Sequence, residues 1–336
     1  MKRLRVACVG TGFIAGRHLA ALAQFPEVEV IAVADTVAER ADAAAQRLGA
    51  VAYDDGLDLL AGEDLDAVWL CVPPFAHGPL EQAALDRGLP FFVEKPLAVD
   101  LAVAQGVARG VREQGLLTAV GYHWRYLDVV EQARQLLLET PPQLLLGQWL
   151  DATPRAPWWS RRDGSGGQLV EQSTHLFDLA RVLSGEVASV TAAETMLPRP
   201  DWPDADVPTA STVLLRFASG AVGSISSSCL LEGRHRVGLR LVAAGRVVEL
   251  RERALSDHEL HVDDMHVARS DQDPVAAEDR AFVDALLGRG NDVRVPYGEA
   301  LRTHELVCAA DRSARTGETV GLPGRRDPSV PRHGDV

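Results

Sequence analysis

The chain has 336 residues, of which 46% are apolar and 24% charged; this is the composition of a soluble globular protein, and the length implies two domains, because single cores stop growing at about 250–300 residues. A net charge of −13 excludes phosphate-backbone binding as the main role, so no nucleic-acid partner is expected, although a local basic crevice for a dinucleotide is compatible with it. The apolar runs are too short to span a bilayer, so no membrane partner is expected either.

Strand and helix patterns alternate in the first part. Residues 4–9 read as a buried strand, 14–24 as a helix, 28–34 as a strand and 37–48 as a helix. An apolar run at 67–72 precedes a helix near 80–86, a short strand at 91–93, a helix over 101–113 and a strand over 117–121. Alternation at this spacing implies βαβ units and a parallel sheet. The near-continuous apolar strands agree, because parallel sheets are covered on both faces.

The pattern changes after residue 121. A helix near 129–138 ends at Pro141-Pro142, 144–150 reads as a strand, and a loop rich in Pro, Trp, Arg and Gly fills 153–167. Residues 169–183 read as one helix. Strand-like runs follow at 190–196, 211–217, 222–229, 237–242 and 247–251, and helices resume at 274–287 and 297–315. Strands in succession predict an antiparallel sheet and an α+β second domain. The expected division is 1–121 and 122–323, with 324–336 a disordered tail.

Gly10-x-Gly12-x-x-Ala15 follows the first strand and opens a helix. Gly10 allows a tight turn, Gly12 lets backbone approach a pyrophosphate, and Ala15 lets helix and strand pack closely. The helix N-terminus, with Phe13 and Ile14, then faces the phosphates. Asp35 closes the second strand about twenty residues on, where the fingerprint places a ribose-binding carboxylate. That carboxylate repels a 2′-phosphate, so NAD is favoured over NADP, with Arg40 one helical turn away; Asp35 also suits a helix N-cap. The first domain is therefore an α/β dinucleotide-binding Rossmann domain.

Glu94-Lys95-Pro96 follows the strand at 91–93. A lysine at the carboxyl end of a parallel strand points into the ligand crevice, where its ammonium stabilises charge developing on a substrate oxygen. Glu171, His175 and Asp178 are spaced i, i+4 and i+7, on one face if 169–183 is a single helix. A histidine there can take a hydroxyl proton and return it. The bland reading is a polar helix face with a Glu–His contact. Two ligands on one helix do not close a coordination shell, so no metal is expected. Cys8, Cys71, Cys229 and Cys308 have no metal-type spacing, and no signal-peptide pattern precedes the first strand. Both point to reduced thiols in a cytoplasmic protein.

The chain resembles the glucose–fructose oxidoreductase/inositol dehydrogenase/MocA (Gfo/Idh/MocA) family up to about residue 320. The resemblance rests on the glycine turn with His18, on Cys71-Val72-Pro73-Pro74-x-x-His77, on Glu94-Lys95-Pro96-Leu97, and on Gly166-Gly167-x-x-x-Glu171-x-x-x-His175-x-x-Asp178. It implies a Rossmann domain followed by an α+β domain with a large open, mostly antiparallel sheet, whose outer face often makes a homodimer or homotetramer. It implies that Lys95 and His175 are catalytic, with Glu171 where the family usually has an aspartate. It places Pro73, His77 and Glu94 at the cofactor, and Tyr122, His123, Arg125 and Asp178 towards the substrate. Pro74 and His123 depart from asparagines common in the family, while Arg125 keeps its arginine. Trp159 and Arg162, in Trp158-Trp159-Ser160-Arg161-Arg162, are candidates to stack on or fork to a sugar or phosphorylated group, or to anchor the loop.

The expected activity is an NAD(P)-dependent oxidoreductase that moves hydride between nicotinamide and a hydroxyl or carbonyl carbon of a sugar, cyclitol or sugar derivative. The alternatives are a glycoside hydrolase that uses NAD transiently and a non-catalytic dinucleotide sensor.

Overall fold

The computed structural model describes residues 3–254 and 257–324; the expected tail therefore lies outside the described residues except for Gly324. Two compact units are present, Met1–Tyr126 with Asp273–Leu301, and Leu127–Gln272 with Arg302–Val336. The return of Asp273–Leu301 to the first unit is not visible in the periodicity of the chain.

The N-terminal segment folds as β1 (Leu4–Val9), α1 (Phe13–Leu22), β2 (Val28–Ala34), α2 (Ala38–Leu48), β3 (Val51–Tyr53), α3 (Gly56–Gly62), β4 (Ala67–Leu70), α4 (Pro79–Asp86), β5 (Phe91–Val93), α5 (Leu101–Gln114) and β6 (Thr118–Val120). The six strands pair in parallel in the order β3-β2-β1-β4-β5-β6. The predicted parallel sheet is thus present, and its order reverses between β1 and β4, the position at which such sheets bind ligands. Both faces are buried: Ala7, Val9, Val68, Leu70, Phe91 and Val93 on one, Val6, Cys8, Ala67, Trp69 and Phe92 on the other. The sequence reading passed over β3 and α3. β3 has only three residues, Val51-Ala52-Tyr53, none of them buried, and is too short to stand out as a strand; α3 is seven residues long and starts from an Asp55 side-chain cap.

The second unit adds α6 (Asp128–Leu138), β7 (Leu144–Ala152), α7 (Arg162–Ser165), α8 (Gln168–Glu171), α9 (Thr174–Ser184), β8 (Val187–Thr195), β9 (Ala210–Phe217), β10 (Val222–Leu231), β11 (Arg236–Ala243), β12 (Arg246–Ala254), β13 (Asp257–Val262) and β14 (Met265–Arg269). Next come α10 (Pro274–Leu286), which belongs to the first unit, α11 (Tyr297–Thr316), and β15 (Val320–Gly321). The nine strands run β14-β13-β12-β11-β7-β10-β9-β8-β15. Every pairing is antiparallel except β7 with β10. Along β7, Leu145, Gly147, Trp149 and Asp151 are buried while Leu146 and Gln148 are exposed. That alternation marks a sheet with one covered and one open face, and α6 and α9 contact its strands.

The predicted single helix over 169–183 is broken. α8 stops at Glu171 and α9 starts at Thr174. The Ser173 amide donates to Gln168 O at 2.9 Å, one residue further back than an α-helix allows. The Ser173 hydroxyl lies 2.7 Å from that of Ser227 on β10. The i to i−5 bond widens the turn between the two helices, and the serine hydroxyl is engaged with the sheet. Glu171 and His175 therefore flank a break rather than sharing one regular face.

Candidate active site

The first unit builds a dinucleotide cradle at the carboxyl edge of its sheet. The Gly10 amide donates to Ala34 O, and the Cys71 amide to Val9 O, each at 2.7 Å. Gly10 has φ 88°, and a Cβ there would lie 2.3 Å from Cys71 O, so only glycine fits the turn. Around Gly12 the space is open, with nothing within 4 Å of an added Cβ. Gly12 caps α1 without a side-chain hydrogen bond, and Phe13 is exposed. The α1 amides thus face open space, as an anion site requires. Asp35 accepts from the Thr11 amide at 2.9 Å and hydroxyl at 2.8 Å, and from the Val37 amide at 2.9 Å. Burial opposes its ionisation, but the Val37 and Thr11 donors, with Arg40 near, outweigh it and hold the carboxyl below its usual range. These residues fit a dinucleotide: a turn with no room for a Cβ, an open approach, uncapped amides and an anionic carboxylate at the end of β2.

Lys95 follows β5 on the same edge, and its peptide bond to Pro96 is cis. Glu94 is buried, and its Oε2 accepts from the Lys95 amide at 3.0 Å. The chain contains thirty-two arginines but only two lysines, Lys2 and Lys95. A sequence that uses arginine almost everywhere has at position 95 the cation that is a compact point charge; this count is a signal that motif reading overlooked. His77, also buried, is bound through Nδ1 to Glu81 Oε1 at 2.6 Å, while its Nε2 has no partner among the described residues. Glu81 also accepts from the Gly78 amide at 2.6 Å, so His77 orders the start of α4 beside Pro73. Tyr122 and His123 are buried, and Arg125 pairs with Glu299 at 3.1 Å.

In the second unit, Glu171 Oε2 accepts the indole N–H of Trp159 at 2.7 Å. Trp159 is 1% exposed, so its ring is an anchor of the 153–167 loop rather than an open stacking face. His175, 5% exposed, has its ring 6.2 Å from that of Trp149 on β7 at an interplanar angle of 18°. Asp178 is buried and accepts the Thr303 hydroxyl at 2.7 Å, and that hydroxyl accepts from Arg181 at 2.6 Å. Arg162 pairs with Glu194 at 3.0 Å and with Asp311, so its guanidinium is engaged with protein carboxylates. Trp149 carried no signal in the sequence: a tryptophan inside a strand reads as core.

Two family models match this chain. One, described as an oxidoreductase family with an NAD-binding Rossmann fold, covers residues 4–122, and the Gfo/Idh/MocA C-terminal domain covers 143–247. The chain belongs to the Gfo/Idh/MocA oxidoreductase family. Among its relatives in this family is scyllo-inositol 2-dehydrogenase (NAD(+)) of Bacillus subtilis, 29% identical over 67% of each chain. Another is D-apiose dehydrogenase of Paraburkholderia graminis, 25% identical over 96% of this chain and 90% of that one. Among solved structures, the WlbA dehydrogenase of Bordetella pertussis in complex with NADH and UDP-GlcNAcA superimposes with a TM-score of 0.84 at 23% identity, covering 96% of this chain and 99% of that one. Levoglucosan dehydrogenase in complex with NADH gives a TM-score of 0.84 at 21% identity, covering 96% of this chain and all of the other. Family and fold agree with the expected oxidoreductase carrying a Rossmann domain and a mostly antiparallel second sheet. Among the described residues no helix is long and apolar enough to cross a membrane.

Proposed function

We propose that this family member is an NAD-dependent dehydrogenase acting on a ring hydroxyl of a sugar, cyclitol or sugar derivative. The observation that carries the reading is Lys95 at the end of β5, on the sheet edge that holds the Gly10–Asp35 cradle. Bound NAD supplies the hydride acceptor, and NADH the donor in the reverse direction. The Lys95 ammonium donates to the reacting oxygen and stabilises the charge that grows there as the proton leaves. His175 takes that proton on its imidazole and returns it in reduction. Glu171, aligned by Trp159, accepts from a neighbouring substrate hydroxyl and fixes which carbon reacts. Tyr122, His123, Arg125 and Asp178 support this substrate site, Arg125 and Asp178 through Glu299 and Thr303.

Preference for NAD over NADP follows from Asp35, whose anionic carboxylate would face a 2′-phosphate with like charge. The relatives named for inositol and apiose oxidation support a polyol substrate. A homodimer or homotetramer built on the open face of the nine-stranded sheet and a cytoplasmic location complete the proposal; the four free cysteines support the latter.

The test is incubation with NAD and, separately, NADP against cyclitols, aldoses and anhydrosugars, following nicotinamide absorbance and product NMR together, with Lys95→Ala as control. Lysine-dependent NAD reduction is the expected result. Turnover retained in Lys95→Ala would sink the assignment, and product formed without net reduction would replace it with a cofactor-recycling hydrolase.

A further inference from the structure

The first unit buries a chain of ionisable groups that none of these roles uses. His18, on α1, is fully buried. Its Nδ1 lies 2.8 and 3.0 Å from the two carboxylate oxygens of Asp279 on α10, and its Nε2 lies 3.0 Å from Glu94 Oε1. The Trp69 indole on β4 donates to Asp279 at 2.8 Å. Glu94 Oε2 in turn accepts the Lys95 amide. Hydrogen bonds thus run from Trp69 through Asp279, His18 and Glu94 to the peptide that carries Lys95.

We propose that His18 is a positioning residue for Lys95: backed by Asp279, it clamps Glu94, and through Glu94 it ties the Lys95 backbone to the helix that begins at the cofactor turn. The inference rests on the reading of Lys95 given above.

Three observations carry it. Both ring nitrogens face carboxylates, a pattern that a doubly protonated imidazole satisfies with its two N–H donors. Burial works against that charge, but Asp279 and Glu94 outweigh it and hold His18 well above its ordinary value. Glu94 is also closed in from the side, since a Cβ on Gly121 would lie 2.4 Å from Glu94 Oε1. Glu94 therefore has one place to sit, and the Lys95 amide is hung from it. The third observation is Glu278, next to Asp279 and 1% exposed, whose two carboxylate oxygens have no partner among the described residues. Burial pushes its pKa well up, and Glu278 makes no bond to the His18 ring, whose two nitrogens are taken by Asp279 and Glu94. His18, Glu94 and Glu278 also offer ligand atoms within 4.8 Å of one another. A divalent cation there would need the Nε2 lone pair, and a ring nitrogen that donates to Glu94 has none to give.

Four variants and two readouts test the proposal: His18→Leu, His18→Gln, Glu94→Gln and the His18→Leu/Glu94→Gln pair, read by steady-state kinetics and by competitive acetylation. Because the protein has only two lysines, mass spectrometry reports the reactivity of Lys95 against Lys2 without any need for turnover. In His18→Leu we expect kcat to fall about 100-fold, the cost of an ångström-scale misplacement, with KM for NAD changed less than about threefold. Lys95 acetylation should rise several-fold relative to Lys2, and His18→Gln, which keeps one donor, should recover part of both. The double variant should be no worse than the poorer single one, as for residues that act as a unit. Unfolding at lower temperature with kcat and Lys95 labelling unchanged would overturn the proposal, leaving His18 a core residue. Additive losses would overturn it too. So would one equivalent of divalent metal bound to the wild-type protein and lost in His18→Leu, which would make the cluster a cation site. If the wild-type protein reduces no cofactor on any substrate, the functional reading fails, and the labelling still decides whether the clamp holds Lys95.

Discussion

Trp159 and Glu171, twelve positions apart, are joined by an indole N–H to carboxylate hydrogen bond of 2.7 Å with the indole buried at 1% exposure. Ser165 strengthens the same turn by donating to Trp159 O at 2.7 Å. The Glu171 carboxylate is thereby held by a buried donor, and the 153–167 loop is anchored by its own aromatic ring.

Trp159→Phe keeps an aromatic ring at this buried site and removes the N–H donor together with the fused half of the indole. We expect kcat/KM to fall about tenfold, the equivalent of one charge-assisted hydrogen bond of roughly 1.5 kcal/mol, with circular dichroism unchanged. Steady-state assays on the best substrate check it; an unchanged kcat/KM would show that Glu171 needs no tether.

The two glycines of the cofactor turn should separate stability from binding. Gly10→Ala places a Cβ 2.3 Å from Cys71 O at φ 88°, so it should destabilise the fold by about 2–3 kcal/mol as well as abolish NAD binding. Gly12→Ala meets nothing within 4 Å, so it should unfold like the wild type yet weaken NAD at least about tenfold by occupying the approach to the phosphates. Urea unfolding and calorimetric titration on the same samples check both.

Asp35→Ala should cost NAD about tenfold in affinity, the loss of charge-assisted bonds to a ribose, and should weaken NADP less or strengthen it. Equal losses for both cofactors would show that Asp35 only orders Thr11 and Val37.

Two buried groups set opposite pH slopes. Glu278 keeps its proton in the folded state well above the ordinary carboxyl value of 4.5; above pH 4.5 the unfolded chain releases that proton and the folded chain does not, so stability falls as pH rises towards the folded value. Glu278→Gln should therefore gain on the wild type as pH rises above 4.5. His258 is held down from 6.5 to about 3, chiefly by burial, with Arg234 adding to it and Asp257 opposing. Its contribution is complete above pH 6.5 and is lost as pH falls from there to about 3, so His258→Asn should flatten the acid limb. Urea midpoints at pH 4, 6 and 8 for the three proteins decide both.

The open sheet face presents Leu146 on β7 and Leu214 on β9, 39% and 57% exposed, on either side of Ser224. If copies pair across this face, Leu214→Asp should reduce the light-scattering mass towards the 36.2 kDa protomer. An unchanged mass above that value would move the interface elsewhere.

What the sequence determined by itself is what neighbours within a few residues encode. Apolar runs spaced by helix periods gave away β1, β2, β4 and β5 and the parallel sheet, because strands covered on both faces are apolar at nearly every position. The glycine turn and Asp35 were likewise legible from spacing, whereas the spacing that grouped Glu171 with His175 assumed one helix where there are two. Tertiary structure alone decided the rest. The helix break at Ser173, whose hydroxyl meets that of Ser227 on β10 fifty-four positions away, is not encoded in the local apolar pattern. Trp159 and Asp178 look like surface recognition groups in the chain and are buried because Glu171 and Thr303 are brought to them. The joining of His18 to Asp279 across 261 positions goes with the packing of the Phe282 ring against Trp69 and Phe92, which sets α10 against the first sheet. A buried charge can be tolerated only where its partner is already in place, and that condition is met by packing, which local pattern does not encode.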